Sequence, residues 1–533
     1  MLHYRILLDT QRNALFTGYA NDITTYVKRI SLQFGANSAN EYMAAAAYME
    51  IALDNSSGDF NLQNPSAKYY GKVRRGTLIR VQASLDGATW VNLGTLKIQV
   101  PTPSYAMDGT HELVLAASDT IQSFLAQEFI PPLLTNVRIS DILAAAFEST
   151  ILVWPYESYY QFIGHTSIGD GRAPYVASEF CYFEAAETTL SFYGDNLDKG
   201  EGVTVQDYIK KAVQAEIFGL FYFSPRDELV HFLYRYHAFE TAVSWNIDTK
   251  ITTEPIYTAN KDLVNDYSLS FSPREIGDEH SLLWESQNVP IQIAAQDTKI
   301  ITVKYRNPDF PTATVGALAV DNLIKGVDLI ANSEEDGSGE DWTRFLTPSV
   351  KYGAASSEIR IYNRKVGDPA YITTLQIKGT PITAFNKETV FGYNDDSVFG
   401  MGDDETSGND RAVGGDTIDA IDDSDFAQSV ADYKVNANGE ALVTLERLTI
   451  PIKADDTVTQ AKVLAKTIGD VINFKDLANG HDSDYMIVGE RHTISPSTVP
   501  PMHTVTYTLR PTLRGSVFVI GESYSDAGDT LSF

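Results

Sequence analysis

Residues 45–85 read AAAYMEIALDNSSGDFNLQNPSAKYYGKVRRGTLIRVQASL, two apolar runs on either side of a long turn-rich insert. Ala47, Met49, Ile51 and Leu53 recur at every second position, the period of a half-buried strand. Asp54-Asn55, Gly58 and Pro65 then punctuate a loop that runs to Leu78. Upstream, Ile30, Leu32 and Phe34 keep the same period. Downstream, Leu78–Leu85 and Trp90–Val100 flank Asp86-Gly87, a hairpin signal of the primed-turn type. Short strands closed by such turns predict a small barrel or sandwich.

From Ser118 the period changes to that of a helix. Ser118 is placed to cap a helix carrying Ile121, Phe124 and Leu125, and Ser140 a second with Leu143, Ala146 and Phe147. Thr204, with Asp207 three residues on, opens a third through Ile209, Ala212 and Val213. That helix leads into Ile217–Phe223, a turn at Ser224-Pro225-Arg226-Asp227 and a return strand Leu229–Tyr234, an α+β module. Beyond residue 262 the chain is β-rich again, with an exposed loop at Ser333–Asp341. A helix is expected from Thr457 to about Ile472, then two closing strands, Tyr485–Ile494 and Thr504–Leu509. Residues 394–432 hold twelve acidic residues against one basic residue, Arg411. That segment reads as a flexible acidic insertion whose deletion leaves the melting of the rest nearly unchanged.

The chain of 533 residues has 41 Lys and Arg against 70 Asp and Glu, a net charge of −29. This balance argues against a nucleic-acid-binding module, which needs clustered cations to neutralise phosphates. The 29 Tyr, 25 Phe and 5 Trp exceed what a chain unable to bury a core would carry. Cys181 is the single cysteine, so there is no intrachain disulfide and no CxxC metal or redox site; a small buried side chain is expected there. Asp9, Arg12 and Asn13 interrupt the apolar run a signal peptide needs, and no stretch reaches membrane-span length, so a soluble protein made in the cytosol is expected.

Catalytic signatures are sparse. Gly71-Lys72 is followed by Val73 rather than the hydroxyl of a phosphate-binding loop, and His111-Glu112 has Leu115 where a zinc motif needs its second His. Asn436-Ala-Asn438-Gly439 has the spacing of an EF-hand centre, but Lys434 and Leu445 stand where carboxylates are required. No catalytic residue, metal site or cofactor is expected. Trp154, Tyr156, Tyr159 and Tyr160 are the weak candidates for a saccharide-stacking platform, against an interface or domain core.

The N-terminal features follow a recognisable order: Asp22-Ile-Thr-Thr-Tyr-Val27, a strand, Ala47 to Asn55, Gly58-Asp-Phe60, Asn64-Pro65, Tyr69-Tyr70-Gly71 and Leu78-Ile-Arg-Val81. This order resembles the opening domain of the baseplate or tail-tip hub proteins of long non-contractile phage tails, a family related to contractile-baseplate hubs and type VI spikes. Leu62 departs from the pattern, standing where the family often has Pro. Val137-Arg-Ile-Ser-Asp-Ile-Leu143, Thr204-Val-Gln-Asp-Tyr-Ile209 and Gly219-Leu-Phe-Tyr-Phe223 resemble the middle α/β region of such hubs. Val264-Asn265-Asp266-Tyr267, Tyr371 to Gly379, Ile487 to His492 and Leu509-Arg-Pro511 resemble the second half, while 394–432 falls outside the pattern.

The resemblance implies a mainly β fold with α+β modules, two tube-type β-barrel domains joined by smaller α/β domains. The expected boundaries are a first barrel at 1–115, an α/β module at 116–261, the first part of a second barrel at 262–393, the acidic insertion at 394–432, and a helix with the closing strands at 433–533. It further implies a homotrimer at the virion tail tip, assembled in the host cytoplasm. The trimer caps the tail tube and passes tape-measure protein and DNA without sequence-specific binding. Tape-measure, distal-tail or tail-tube, and tip or fibre proteins are its implied partners. The alternatives are a distal-tail or saccharide-binding tip protein and a tail-associated cell-wall hydrolase. Asp54, Asn55, Gly58, Phe60, Asn64, Pro65, Tyr69, Tyr70 and Gly71 form the candidate contact loop. Either this loop exposes Phe60, Tyr69 and Tyr70 to partners, or its glycines serve turns and the tyrosines pack on the barrel.

Overall fold

The alternating segments of the first hundred residues all become strands, because each places one apolar row over a shared core. They are β1 (His3–Leu8), β2 (Val27–Gly35), β3 (Ala45–Asp54), β4 (Leu78–Ser84), β5 (Val91–Tyr105) and β6 (His111–Ser118). In this computed structural model the described residues are 2–11, 16, 22–105, 111–119, 121–149, 152–153, 159–160, 176–177, 181–195, 203–259, 263–287, 289–307, 315–384, 386–399, 411–438, 443–498 and 500–512. The six strands run antiparallel in the order β1-β4-β5-β6-β3-β2. Ile30, Leu32, Phe34, Ala47, Met49, Ile51 and Leu53 are all buried, as their period requires.

The sheet does not stop at β2. Its outer edge pairs antiparallel with the strand His481–Ser495, from Ile30 opposite Ile494 to Gly35 opposite Gly489. Met502–Pro511, Val443–Ile452 and Thr253–Ala259 follow in order. Val471–Asp476 pairs with the first part of His481–Ser495 and carries Val243–Asp248 parallel on its far side. One twelve-stranded sheet results, with six strands in each half. Glycine is required where the halves meet: a Cβ on Gly489 would lie 2.0 Å from the Ala36 carbonyl oxygen.

The α/β module packs against this sheet. Helix α1 (Ile121–Leu125), helix α2 (Ile139–Ser149) and helix α3 (Val205–Ala215) all appear where the apolar spacing places them. Thr204 Oγ1 accepts from the Asp207 amide at 3.1 Å and caps α3. Ser140 lies inside α2 rather than at its cap; its hydroxyl accepts from the Ala186 amide instead. The expected hairpin forms as Leu220–Ser224 against Leu229–Leu233, and Cys181 is buried on the neighbouring strand.

Two boundaries differ from expectation. The described residues of segment 262–393 give no strand to the main sheet; its second half comes from 243–259 and 443–511. The reason is local recruitment. The long strand Ala370–Ala384 pairs with five neighbours from within the same segment and closes a separate core around Leu283, Ile361, Ile372 and Leu375. The helix after Thr457 also ends early, at Ala465, and Val471 already begins a strand.

The acidic segment is also more folded than its charge suggests. Val413–Thr417 adds a parallel strand to Asp266–Phe271, and the helix Ser424–Asn438 buries Ala427, Val430 and Ala431. Gly392 permits the close approach, since a Cβ there would sit 2.5 Å from the Ala431 carbonyl oxygen. Charge is carried on the outer face while small apolar residues face inward, so average composition hides the amphipathic pattern. Leu269→Ala, under this helix, should therefore cost about 2–5 kcal/mol in denaturant unfolding. Deleting 411–432 should lower the melting temperature rather than leave it unchanged.

Candidate assembly surface and its buried support

The loop between β3 and β4 is built inward from two rings. Phe60 and Tyr69 stack with centroids 4.5 Å apart and planes 5° apart, and Tyr26 meets both edge-on. The Asn55 side chain accepts from the Phe60 amide at 2.9 Å, while its own amide donates to the His111 carbonyl. Gly58 adopts φ +72° and donates to the Asn55 carbonyl, and the Tyr69 amide closes the loop on the Asp59 carbonyl at 3.0 Å. Asp54 and Asn64 each accept from an amide two residues on, at Ser56 and Ser66, the Asx-turn geometry of these residues.

This corrects part of the expected contact set. Phe60 and Tyr69 are each 1% exposed and form the loop's own plug, whereas Tyr70 is 45% exposed. Pro65 and Gly71 are exposed beside it. Of the tandem tyrosines, Tyr69 is spent on packing against Phe60 and Tyr70 is left to solvent. The loop's cations were missed: Lys68, Lys72, Arg74 and Arg75 are all exposed, and the run KYYGKVRR in an acidic chain was the available signal. Trp154 and Tyr156 lie outside the described residues, and Tyr159-Tyr160 form a short strand against Leu152-Val153. The loop's two aromatic positions separate cleanly by experiment. Phe60→Ala should destabilise by about 3–5 kcal/mol, and Tyr70→Ala by about 0.5 kcal/mol or less, each read by chemical denaturation.

A buried polar chain joins residues distant in sequence. It starts at Tyr4 on β1, passes His503, His492 and Glu490 on the C-terminal strands, and ends at Arg226 in the turn of the α/β hairpin. The Tyr4 hydroxyl lies 3.1 Å from His503 Nδ1, His503 Nε2 lies 2.8 Å from His492 Nδ1, and His492 Nε2 lies 2.6 Å from Glu490 Oε1. Arg226 pairs with that same oxygen and donates from Nη1 to the Leu464 carbonyl at 3.0 Å. The ring tautomers set the direction of each bond, and one arrangement that satisfies all four groups has Tyr4 donating to His503, His503 to His492 and His492 to the carboxylate. Arg510 makes a second tie, donating to the carbonyls of Ala39, Phe218 and Glu41 at 2.6–2.7 Å. Burial pushes its pKa down to about 10. Sequence spacing gave no sign of either device, because their members meet only through strand register.

The chain has a pH signature. Burial, then His492 and Arg226, hold His503 well below the usual imidazole value. Burial opposes ionisation of Glu490, but Arg226 and His492 outweigh it and hold its carboxyl below the usual value of 4.5. The unfolded chain therefore binds protons at both residues that the folded chain refuses, so stability is full at neutral pH. It should fall once pH drops below the unfolded His value of 6.5, and again below 4.5. Melting temperatures between pH 8 and pH 4 check the sign, and His503→Phe should flatten the first decline. Glu490→Gln leaves Arg226 buried opposite a neutral group and should cost about 3–5 kcal/mol.

The chain matches no family model and no curated protein by sequence. Its structure is similar to several tail proteins. A 43 kDa tail protein of prophage MuSo2 from Shewanella oneidensis has a TM-score of 0.43 at 10% identity, covering 95% of this chain and 98% of that one. A tail protein from Neisseria meningitidis MC58 has a TM-score of 0.38 at 12% identity, covering 95% and 96%. The prophage tail protein gp18 from Listeria monocytogenes EGD-e has a TM-score of 0.38 at 8% identity, covering 95% and 94%. Likeness at this level leaves the architecture to be read from the chain's own strand order.

Proposed function

We propose that this chain is the non-enzymatic structural hub of a phage tail tip or baseplate. Three copies form a ring that caps the tail tube, adapts its six-fold symmetry to a three-fold tip, and leaves a channel for the tape-measure protein and the genome. The observation that carries this reading is the twelve-stranded sheet, with six strands in each half of the sheet. Three such chains offer six comparable half-sheets, the number a hexameric tube requires. The N-terminal order from Asp22 to Val81, which resembles that of hub proteins, supports the same reading.

The ring's partners on this reading are the tail-tube or distal-tail protein on one side and tip or fibre proteins on the other. The loop from Asp54 to Gly71 faces a neighbour, with Tyr70 as its exposed ring. Interfaces of this kind are large and apolar at their centre. Light scattering of the purified protein should give about three times the chain mass of 58.8 kDa. A monomer that clears a cell-wall suspension, and loses that activity when one carboxylate is changed, would overturn the reading.

A further inference from the structure

We infer that the cationic end of the β3–β4 loop, with Lys97 of β5, docks on an acidic surface of a second copy of this chain. The inference rests on the ring proposed above and names the contact that closes it. Residues 68–75 hold four basic residues and no acidic one, in a chain whose net charge is −29. Tyr70, Lys72, Arg74 and Arg75 are exposed, while Val73 between them is 3% exposed and pins the segment to the core.

The cations are presented on a fixed backbone. The Lys72 amide donates to the Tyr69 carbonyl at 3.1 Å, and the Thr77 hydroxyl donates to the Lys72 carbonyl at 2.9 Å. The Thr77 amide donates to the Arg74 carbonyl at 3.1 Å, and the Gly76 amide to the Ile98 carbonyl on β5 at 2.8 Å. Backbone already ordered has less freedom to lose on association. Among the described residues neither Lys72 nor Arg74 is within ion-pair distance of a carboxylate. Arg75 and Lys97 line a cleft of about 460 Å³ beside the loop, wide enough to admit an acidic side chain. Its one carboxylate, Asp119, is buried and accepts from the Ala47 amide at 2.5 Å.

Charge selects the partner. Copies that each carry −29 repel one another, and a contact that sets this cationic segment against acidic surface offsets part of that repulsion. The segment is cationic and its backbone is tied to the core, and its exposed Tyr70, Arg74 and Arg75 are of residue types enriched at interfaces. A nucleic acid is the other polyanion such a loop could meet, and it enters as an outcome of the test.

The test compares the full chain with Lys72→Glu/Arg74→Glu/Arg75→Glu by light scattering over a concentration series, at about 0.05 M and about 0.5 M salt. Melting temperature serves as the folding control, and it should hold because the three side chains are exposed. The expected result is a trimeric wild type and a folded variant whose self-association is weaker by roughly tenfold or more. High salt should weaken the wild type in the same direction. A folded variant that assembles like the wild type overturns this contact and leaves the hub reading standing. A wild type that stays monomeric throughout overturns this contact, and one that also clears a cell-wall suspension overturns the hub reading with it. Binding of a DNA oligonucleotide by the wild type, lost in the variant while assembly is unchanged, assigns the loop to nucleic acid and overturns the inference.

Discussion

The antiparallel pairing of β2 with His481–Ser495 is the contact on which the rest of the molecule depends. It joins strands from opposite ends of the chain, so every residue between them is enclosed by a loop of more than four hundred residues. Closing so long a loop costs entropy before any contact repays it. The join is secured accordingly, by a six-residue ladder, by glycines where the backbones approach, and by the polar chain from Tyr4 to Arg226. That chain touches the first strand, the C-terminal hairpin and the turn of the α/β module. A group lost from it leaves a buried charge or ring nitrogen without its partner.

A rigid sheet of this kind lets loops act as fixed fixtures. The Phe60–Tyr69 plug makes the β3–β4 loop an extension of the core, and the cations beyond it inherit that order. The other inserted regions are held in the same manner. Arg274 reaches from the strand Arg274–Ile276 to Asp195 at 2.6 Å and to the Asp419 carbonyl at 2.8 Å, tying the separate core and the acidic segment to the α/β module. Both charged partners are nearly fully buried, so the tie is directional rather than a surface attraction.

Much of this was legible in local pattern. The period of Ala47–Leu53 and Ile30–Phe34, the Thr204 cap and the Leu220–Leu233 hairpin all formed where their spacing put them. These are decisions made within a few residues, where side-chain period and turn chemistry act directly. The acidic segment was misread because composition averages over faces, and a helix needs only one apolar stripe. The contact loop was half legible: its turns followed from Asn55 and Gly58, but which of Tyr69 and Tyr70 turned inward depended on where Phe60 lay.

By itself the sequence determined the N-terminal strands, the first three helices, the hairpin turns and the net charge, since each is a property of neighbours along the chain. Which strands complete the second half-sheet was decided only by tertiary structure, because segment 370–384 found nearer partners and left that place to 443–511. The same holds for the meeting of Tyr4, Arg226, Glu490, His492 and His503. No spacing encodes that cluster; register across a sheet closed by distant strands does.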